Sequence, residues 1–162
     1  MRDHEPVSPS QHTSLPVQLE QTVELLCTPE QLFESFARAQ DWREWLGLGV
    51  TWTSPAPFGP GTTRIIRSGP VVVEETFTEW EPGSQMSFYF SQSNIPLFRQ
   101  FAERWTVHPR AGGCTLTWCV GIRPTTLGRF FTPLLTTLLR SGFRRGVPKL
   151  DALARGDRVA KA

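Results

Sequence analysis

Residues 71–90, VVVEETFTEWEPGSQMSFYF, contain the pattern that decides the fold. Glu-Pro-Gly at residues 81–83 is a strong turn signal, and it separates two runs that have the composition of β-strands. In the second run Met86, Phe88 and Phe90 alternate with polar residues, as in a strand with one buried face. The segment therefore predicts two neighbouring antiparallel strands.

The first run, residues 71–80, leaves two alternatives for its inward face. Apolar, polar and charged residues occur on both faces, so the alternation does not choose between them. The inward set is either Glu75, Phe77 and Glu79 or Glu74, Thr76, Thr78 and Trp80.

Further strands are predicted on both sides of this segment. They cover residues 17–27, 50–53, 62–67 and 97–108, followed by a last strand that carries Leu116, Trp118 and Val120. Together with the two central strands they make seven. An unbroken series of strands with a helix at the end indicates an α+β fold, in which helices cover one side of an antiparallel sheet.

Three helices complete the pattern. The sequence TPEQ at residues 28–31 supplies an N-cap, a proline at N1 and a capping box, and Asp41 is predicted to cap a second short helix. Residues 124–154 form a long amphipathic helix, because their apolar side chains recur at intervals of three and four. Since proline removes a helical hydrogen bond, we expect this helix to bend or restart near Pro133.

The 162 residues correspond to about one domain. Residues 1–16 are rich in Pro, Ser, His and charge without periodicity, which predicts a disordered N-terminal tail. Residues 17–155 are expected to form the domain, and residues 156–162 a C-terminal tail.

The net charge of +2 is unevenly distributed. From Arg123 onward nine basic residues are accompanied only by Asp151 and Asp157. A basic terminal helix can contact lipid head groups or nucleic acid. We favour the alternative, in which these charges form the solvated face of a helix whose other face is buried.

A cytoplasmic protein is expected. The first fifteen residues are polar, unlike a signal peptide, and no run approaches the ~20 apolar residues of a membrane span. Three cysteines, an odd number, argue against a disulfide framework. Neither cysteines nor histidines have metal-ligand spacing, so we expect buried free thiols, no metal and no cofactor.

Five segments resemble, in their order, the SRPBCC superfamily, also called START-like or Bet v 1-like. The resemblance is strongest to its bacterial polyketide cyclase/dehydrase-like branch. The segments are TPEQLF at 28–33, DWREWL at 41–46, GPGTTR at 59–64, TEWEPG at 78–83 and LGRF at 127–130. The resemblance covers roughly residues 17–153.

This resemblance implies a helix-grip fold, in which a seven-stranded antiparallel sheet wraps around the long C-terminal helix and leaves a hydrophobic cavity between them. Members of the superfamily include aromatase/cyclases, lipid and sterol carriers, hormone receptors and co-chaperone domains. The fold alone does not decide between these functions. Ring-hydroxylating oxygenases are excluded because the chain has no Cys-x-His pair for a Rieske cluster.

Glu103 is the most suggestive residue for chemistry. It lies between Phe101 and Trp105 on the face predicted to point inward, where desolvation raises the pKa of a carboxyl group and suits a general base or ligand anchor. In the alternative reading, Glu103 points outward or forms a structural pair with an arginine, for which Arg64 is the candidate. A Gly-x-Ser-x-Gly nucleophile motif and a Gly-rich phosphate loop are both absent.

The cavity itself is predicted from inward-facing side chains of the strands and apolar residues of the last helix. Eleven Phe and six Trp against one Tyr make such an apolar pocket plausible. The predicted lining consists of Trp52, Phe77, Met86, Phe88, Phe90, Phe101, Glu103, Trp105, Leu116, Trp118, Phe131, Leu135 and Leu138.

Three hypotheses for function follow. The first is a carrier or binding protein for an apolar small molecule or lipid, without a nucleic-acid partner or stable membrane insertion. The alternative is a polyketide cyclase, aromatase or dehydratase-like enzyme that uses polar cavity residues for acid/base chemistry. The third is a protein- or membrane-interaction module that uses the basic helix. Ligand identity and oligomeric state stay open.

Overall fold

The computed structural model describes residues 1–157 as one antiparallel sheet with its three α-helices on one face. The strands are β1 (Arg2–Asp3), β2 (Val17–Leu25), β3 (Gly49–Trp52), β4 (Thr63–Ser68), β5 (Val71–Glu81), β6 (Gln85–Ser93), β7 (Phe98–Arg110) and β8 (Gly113–Pro124). The helices are α1 (Pro29–Ala37), α2 (Ala39–Leu46) and α3 (Gly128–Ala154), preceded by a 3-10 helix (Pro9–Ser14).

The sheet order is β2-β8-β7-β6-β5-β4-β3, and β1 pairs with the end of β6. Every pair is antiparallel. The seven predicted strands are therefore present, with the two-residue β1 added. Helix α3 packs against α1, α2, β2 and β8. The predicted helix-grip fold is confirmed.

Both short helices form between β2 and β3, but they begin differently. The capping box of α1 is confirmed: the N–H of Gln31 donates to Thr28 Oγ1, and the N–H of Thr28 donates to Gln31 Oε1. Helix α2 begins two residues before Asp41, so the prediction that Asp41 caps it is wrong. The Asp41 carboxylate is buried instead and accepts hydrogen bonds from Ser35 Oγ and Arg38 Nε.

Helix α3 is continuous through Pro133, so the predicted restart does not occur. Its first residue must be small, because a Cβ on Gly128 would lie 1.7 Å from the carbonyl oxygen of Leu97. Near its other end the Asp151 carboxylate accepts hydrogen bonds from the backbone N–H groups of Leu26 and Cys27. These contacts fix both ends of α3 against the rest of the domain.

The N-terminal segment is ordered, which corrects the prediction of a disordered tail over residues 1–16. Val7 and Leu15 are buried against Ala102, on the face of the sheet opposite Glu103 because neighbouring strand residues point to opposite faces. His12 Nε2 also lies 3.2 Å from the Ala102 carbonyl oxygen. Because these contacts are long-range, they leave no local periodicity in the sequence. Of the predicted C-terminal tail, residues 158–162 lie outside the described residues.

Candidate ligand cavity

A cavity of about 160 Å³ lies between the sheet and helices α2 and α3. We call it the central cavity. One part of its wall is apolar and aromatic, and the other contains an arginine and two glutamates. Its lining residues are Trp42, Leu46, Leu48, Arg64, Glu75, Phe88, Glu103, Trp105, Trp118, Leu139, Gly142 and Phe143.

The irregular path of β5 determines which of its side chains enter the core. The register against β6 shifts between Glu74 and Glu75 and again between Phe77 and Glu79. Glu75 and Phe77 are buried, whereas beyond the second shift Trp80 packs on the inner side, with its ring 5.7 Å from that of Phe33. Neither alternative for this strand therefore holds along its whole length, because a bulge reverses the alternation of faces.

Arg64 lies opposite Glu75 on the neighbouring strand and is only 1% exposed. Its Nε donates to Glu75 Oε2 at 2.5 Å. The guanidinium carbon lies 4.3 Å from the centre of the Trp42 ring and 5.0 Å from that of Phe88, so aromatic faces stabilise the cation.

One nitrogen of this guanidinium has no hydrogen-bond partner among the described residues. Arg64 Nη1 is buried, and no atom of residues 1–157 accepts a hydrogen bond from it. A buried donor without a partner costs about 1–3 kcal/mol, whereas an acceptor on a bound molecule would remove that cost.

Glu103 faces the same cavity from β7. Its Oε2 accepts hydrogen bonds from Trp118 Nε1 at 2.8 Å and from Trp105 Nε1 at 3.0 Å. No hydrogen bond reaches its other oxygen, Oε1, from the part of the chain described here. That oxygen is therefore available to a ligand.

Burial raises the pKa of Glu103 to about 7, and the nearby Glu75 carboxylate adds to this effect. The two indole N–H groups and Arg64 act in the opposite direction but are outweighed. Burial also raises the pKa of Glu75 although Arg64 favours its charged form. The cavity thus holds one cation, and a carboxyl group that exchanges its proton near neutral pH.

Comparison with known proteins agrees with this architecture. Residues 16–155 match the family described as polyketide cyclase/dehydrase and lipid transport. The chain belongs to this family. An uncharacterised protein of Mycobacterium tuberculosis is 44% identical over 130 residues, which cover 76% of this chain and 78% of that protein.

Solved structures extend the likeness in fold. A Thermus thermophilus protein superposes with a TM-score of 0.70 at 12% identity, covering 88% of this chain and 99% of that one. A START superfamily protein from Mycobacterium smegmatis gives a TM-score of 0.67 at 12% identity, covering 86% and 97%. At such identities the likeness establishes the fold and not the ligand.

The polyketide cyclase-like chain places only part of the predicted lining around the central cavity. Four predicted lining residues are in its wall: Phe88, Glu103, Trp105 and Trp118. Arg64, predicted only as a candidate partner of Glu103, also lines it. The other predicted lining residues lie outside that wall: Trp52, Phe77, Met86, Phe90, Phe101, Leu116, Phe131, Leu135 and Leu138.

These differences have simple packing causes. Phe77, Met86 and Leu116 belong to the solid core and are almost completely buried. Phe90 and Phe101 stack on each other with ring centres 4.2 Å apart. Such rings fill space between the sheet and the helices, so they leave no room beside them.

The remaining differences concern the edge of the domain and the register of α3. Trp52 stacks on Phe58 at 3.9 Å between ring centres. Phe131 and Leu138 are exposed, and Leu135 is partly buried away from the cavity. From α3, the central cavity is lined instead by Leu139, Gly142 and Phe143.

The lining residues that the prediction missed come mainly from helices. Leu139 and Phe143 belong to the same three-four stripe of α3, so the pattern contained them. Phe143 stacks on Trp118 with ring centres 4.7 Å apart, and this contact orients the helix over the cavity. Trp42 on α2 gave no local signal, because its direction depends on helix packing. Glu75 on β5 belonged to one of the two alternative inward sets, and the alternation alone did not choose between them.

The cysteines of residues 1–157 are all free thiols with raised pKa values. Cys27 and Cys114 are buried free thiols, and burial raises the pKa of each. Within residues 1–157 no group of three His, Cys, Asp or Glu side chains is arranged to hold a metal ion. None of the described helices is both long and apolar enough to cross a membrane.

Proposed function

We propose that this protein binds one small, mostly apolar molecule that carries an oxygen acceptor, in the central cavity. The observation that carries this proposal is that Arg64, which lines a cavity with aromatic walls, has a buried Nη1 without a hydrogen-bond partner in residues 1–157. A carbonyl or carboxylate oxygen satisfies this donor, and the hydrocarbon part of the ligand contacts Trp42, Trp105 and Phe143.

The size of the cavity limits the ligand. Its volume of about 160 Å³ is close to that of an engineered ~150 Å³ protein cavity that binds benzene. Sites for drug-sized ligands are usually ~300–1,000 Å³. A single substituted ring therefore fits, whereas a whole lipid or polyketide chain requires α3 to move outward.

Binding can be measured with probes that differ in one oxygen. Trp42, Trp105 and Trp118 line the cavity, so their fluorescence reports occupancy. Acetophenone should bind roughly tenfold more tightly than ethylbenzene, because a hydrogen bond to a charged donor contributes about 1.5–3 kcal/mol. Equal affinities, or no binding of either probe, would contradict the proposal.

A pair of arginine variants tests the role of the guanidinium. Arg64→Met should abolish the preference for acetophenone, whereas Arg67→Met, an exposed arginine on the same strand, should retain it. Circular dichroism establishes that each variant is folded. Should Arg64→Met fail to fold, Arg64→Lys keeps the charge and removes the planar group, and should reduce the preference.

A second candidate function is acid/base catalysis on a ligand held in the same way. It is favoured by Glu103, whose pKa of about 7 suits proton transfer near neutral pH. The charged carboxylate would take a proton from the carbon beside the ligand carbonyl, while Arg64 Nη1 stabilises the resulting enolate oxygen.

This candidate predicts exchange of the methyl protons of acetophenone for deuterium in heavy water, followed by NMR. Exchange should require the wild-type carboxylate and disappear in Glu103→Gln, while binding of the probe persists. Binding without protein-catalysed exchange would favour a carrier over an enzyme.

A further inference from the structure

An apolar face of α3 is exposed at the end of the helix that follows β8. Five of the seven large apolar side chains that are exposed in residues 1–157 lie on this one stretch. Phe130 is 80% exposed and the other four are between 46% and 59% exposed. They are Leu127, Phe130, Phe131, Leu134 and Leu138, and we call them the α3 apolar face.

These residues form one continuous surface, because residues three or four apart lie on the same side of a helix. The surface continues beside the helix as an open groove of about 490 Å³. Pro70, Ile95, Pro96 and Leu97 line that groove together with Leu127 and Phe131. A contiguous apolar patch of this kind marks an interaction site more often than an isolated exposed leucine does.

The charges of the helix identify the partner. From Gly128 to Leu150 the helix contains five exposed basic residues and no acidic residue: Arg129, Arg140, Arg144, Arg145 and Lys149. None of the five forms an ion pair within the described part of the chain. Arg145 and Lys149 follow Leu138 after seven and eleven residues, and so lie on the same side as the α3 apolar face.

We propose that the α3 apolar face docks onto an anionic lipid surface. A helix with Phe and Leu on one face and only basic charges suits the membrane interface, where the rings enter the acyl region and the cations meet the head groups. A second copy of this chain is a poorer occupant, because a two-fold contact would bring the basic residues of both helices to one interface, and the helix from Gly128 to Leu150 has no acidic residue to pair with them.

The proposal goes beyond ligand binding and does not depend on it. The α3 apolar face and the cavity wall are adjacent on the same helix, because Leu138 of the apolar face is followed directly by Leu139 of the cavity wall. Docking would therefore place the central cavity close to the lipid surface. An Arg64→Met variant that has lost ligand selectivity should still bind vesicles.

Vesicle flotation of the full chain tests the proposal. The protein should bind vesicles of phosphatidylcholine mixed with phosphatidylglycerol, and bind phosphatidylcholine alone much more weakly. High salt should release much of the bound protein, because it screens the contribution of the basic side chains. Absence of binding to the mixed vesicles at low salt would overturn the proposal.

Matched variants locate the contact. The double variant Phe130→Ser and Leu134→Ser should weaken binding by about tenfold or more, since both side chains would otherwise leave water. Leu26→Ser, which changes a leucine that is 61% exposed outside the face, should bind like wild type. Equal loss in both variants would contradict the assignment.

Charge variants and the oligomeric state complete the test. Arg145→Gln with Lys149→Gln should reduce binding to the mixed vesicles and its salt dependence, whereas Arg43→Gln on α2 should not. Analytical ultracentrifugation without lipid measures the oligomeric state and so tests whether the face contacts a second copy instead. A dimer that the Phe130→Ser and Leu134→Ser variant abolishes would assign the face to a second copy and overturn the lipid proposal.

Discussion

Replacing Glu103 by Gln should change how the free energy of unfolding depends on pH. In the folded protein the pKa of Glu103 is about 7, above its ordinary value of 4.5. As pH rises through this window, the unfolded chain loses the proton while the folded chain keeps it. The stabilisation associated with the raised pKa is therefore fully present below about pH 4.5 and is lost by about pH 7.

The size of the effect follows from the two pKa values. A pKa of about 7 instead of 4.5 corresponds to roughly 3 kcal/mol. Gln does not titrate. As the pH rises from acid to weakly alkaline values, the free energy of unfolding of Glu103→Gln should therefore increase by roughly this amount relative to that of wild type. The variant keeps an amide oxygen that accepts the hydrogen bonds of Trp105 and Trp118, so the packing of the site is retained.

Urea unfolding followed by tryptophan fluorescence, from about pH 4 to about pH 8, measures this difference. Glu34→Gln, an exposed glutamate of α1 with no ion pair in residues 1–157, is the matched control and should follow wild type. If the wild-type and Glu103→Gln curves run parallel over this range, Glu103 does not have the raised pKa and the reasoning fails.

Substitutions at three further places test the packing of the domain by urea unfolding. Arg64→Met should cost about 3–5 kcal/mol because it leaves the Glu75 carboxylate buried without its cation, and adding Glu75→Gln should recover part of this loss. Gly146→Ala should cost about 1–3 kcal/mol, since its Cβ would lie 2.7 Å from the ring of Trp45 on α2. Gly142→Ala should instead stabilise the protein by up to about 1 kcal/mol, because its Cβ would meet no atom within 4 Å and alanine favours the helix. Leu15→Ala should cost about 2–5 kcal/mol, and a negligible cost would mean that the N-terminal segment is not packed.

Local patterns were enough to predict most of the fold. The alternation in β6, the turn at residues 81–83 and the capping box at residues 28–31 all depend on neighbouring residues, and each is present. The N-terminal segment could not be predicted in this way. Its stability comes from contacts such as that between His12 and Ala102, which are ninety residues apart in the chain.

The candidate site was predictable only in part. Glu103 was predicted as a candidate because it interrupts an apolar face of a regular strand, and Arg64 was named as its candidate partner. The structure instead pairs Arg64 with Glu75. The direction of this carboxylate was left open between two alternatives, because both faces of β5 carry apolar, polar and charged residues and two register shifts interrupt its alternation. The direction of α3 also depends on tertiary packing, so the sequence pattern did not distinguish Leu139 from Leu138.

The composition of the central cavity is difficult to explain by stability alone. One arginine and two glutamates occupy space that apolar residues of similar volume would fill at no electrostatic cost, and such replacements are often neutral or stabilising. Arg64 also has a hydrogen-bond donor without an acceptor among the described residues. Burial raises the pKa of Glu103 to about 7, so that its carboxyl group titrates near neutral pH. Departures of this kind from the rules of a well-packed core tend to occur at functional sites. A bound molecule with an oxygen acceptor accounts for the unsatisfied donor, for the empty volume and for the aromatic walls together. An apolar ligand accounts only for the last two, and for this reason the comparison of acetophenone with ethylbenzene is the decisive experiment.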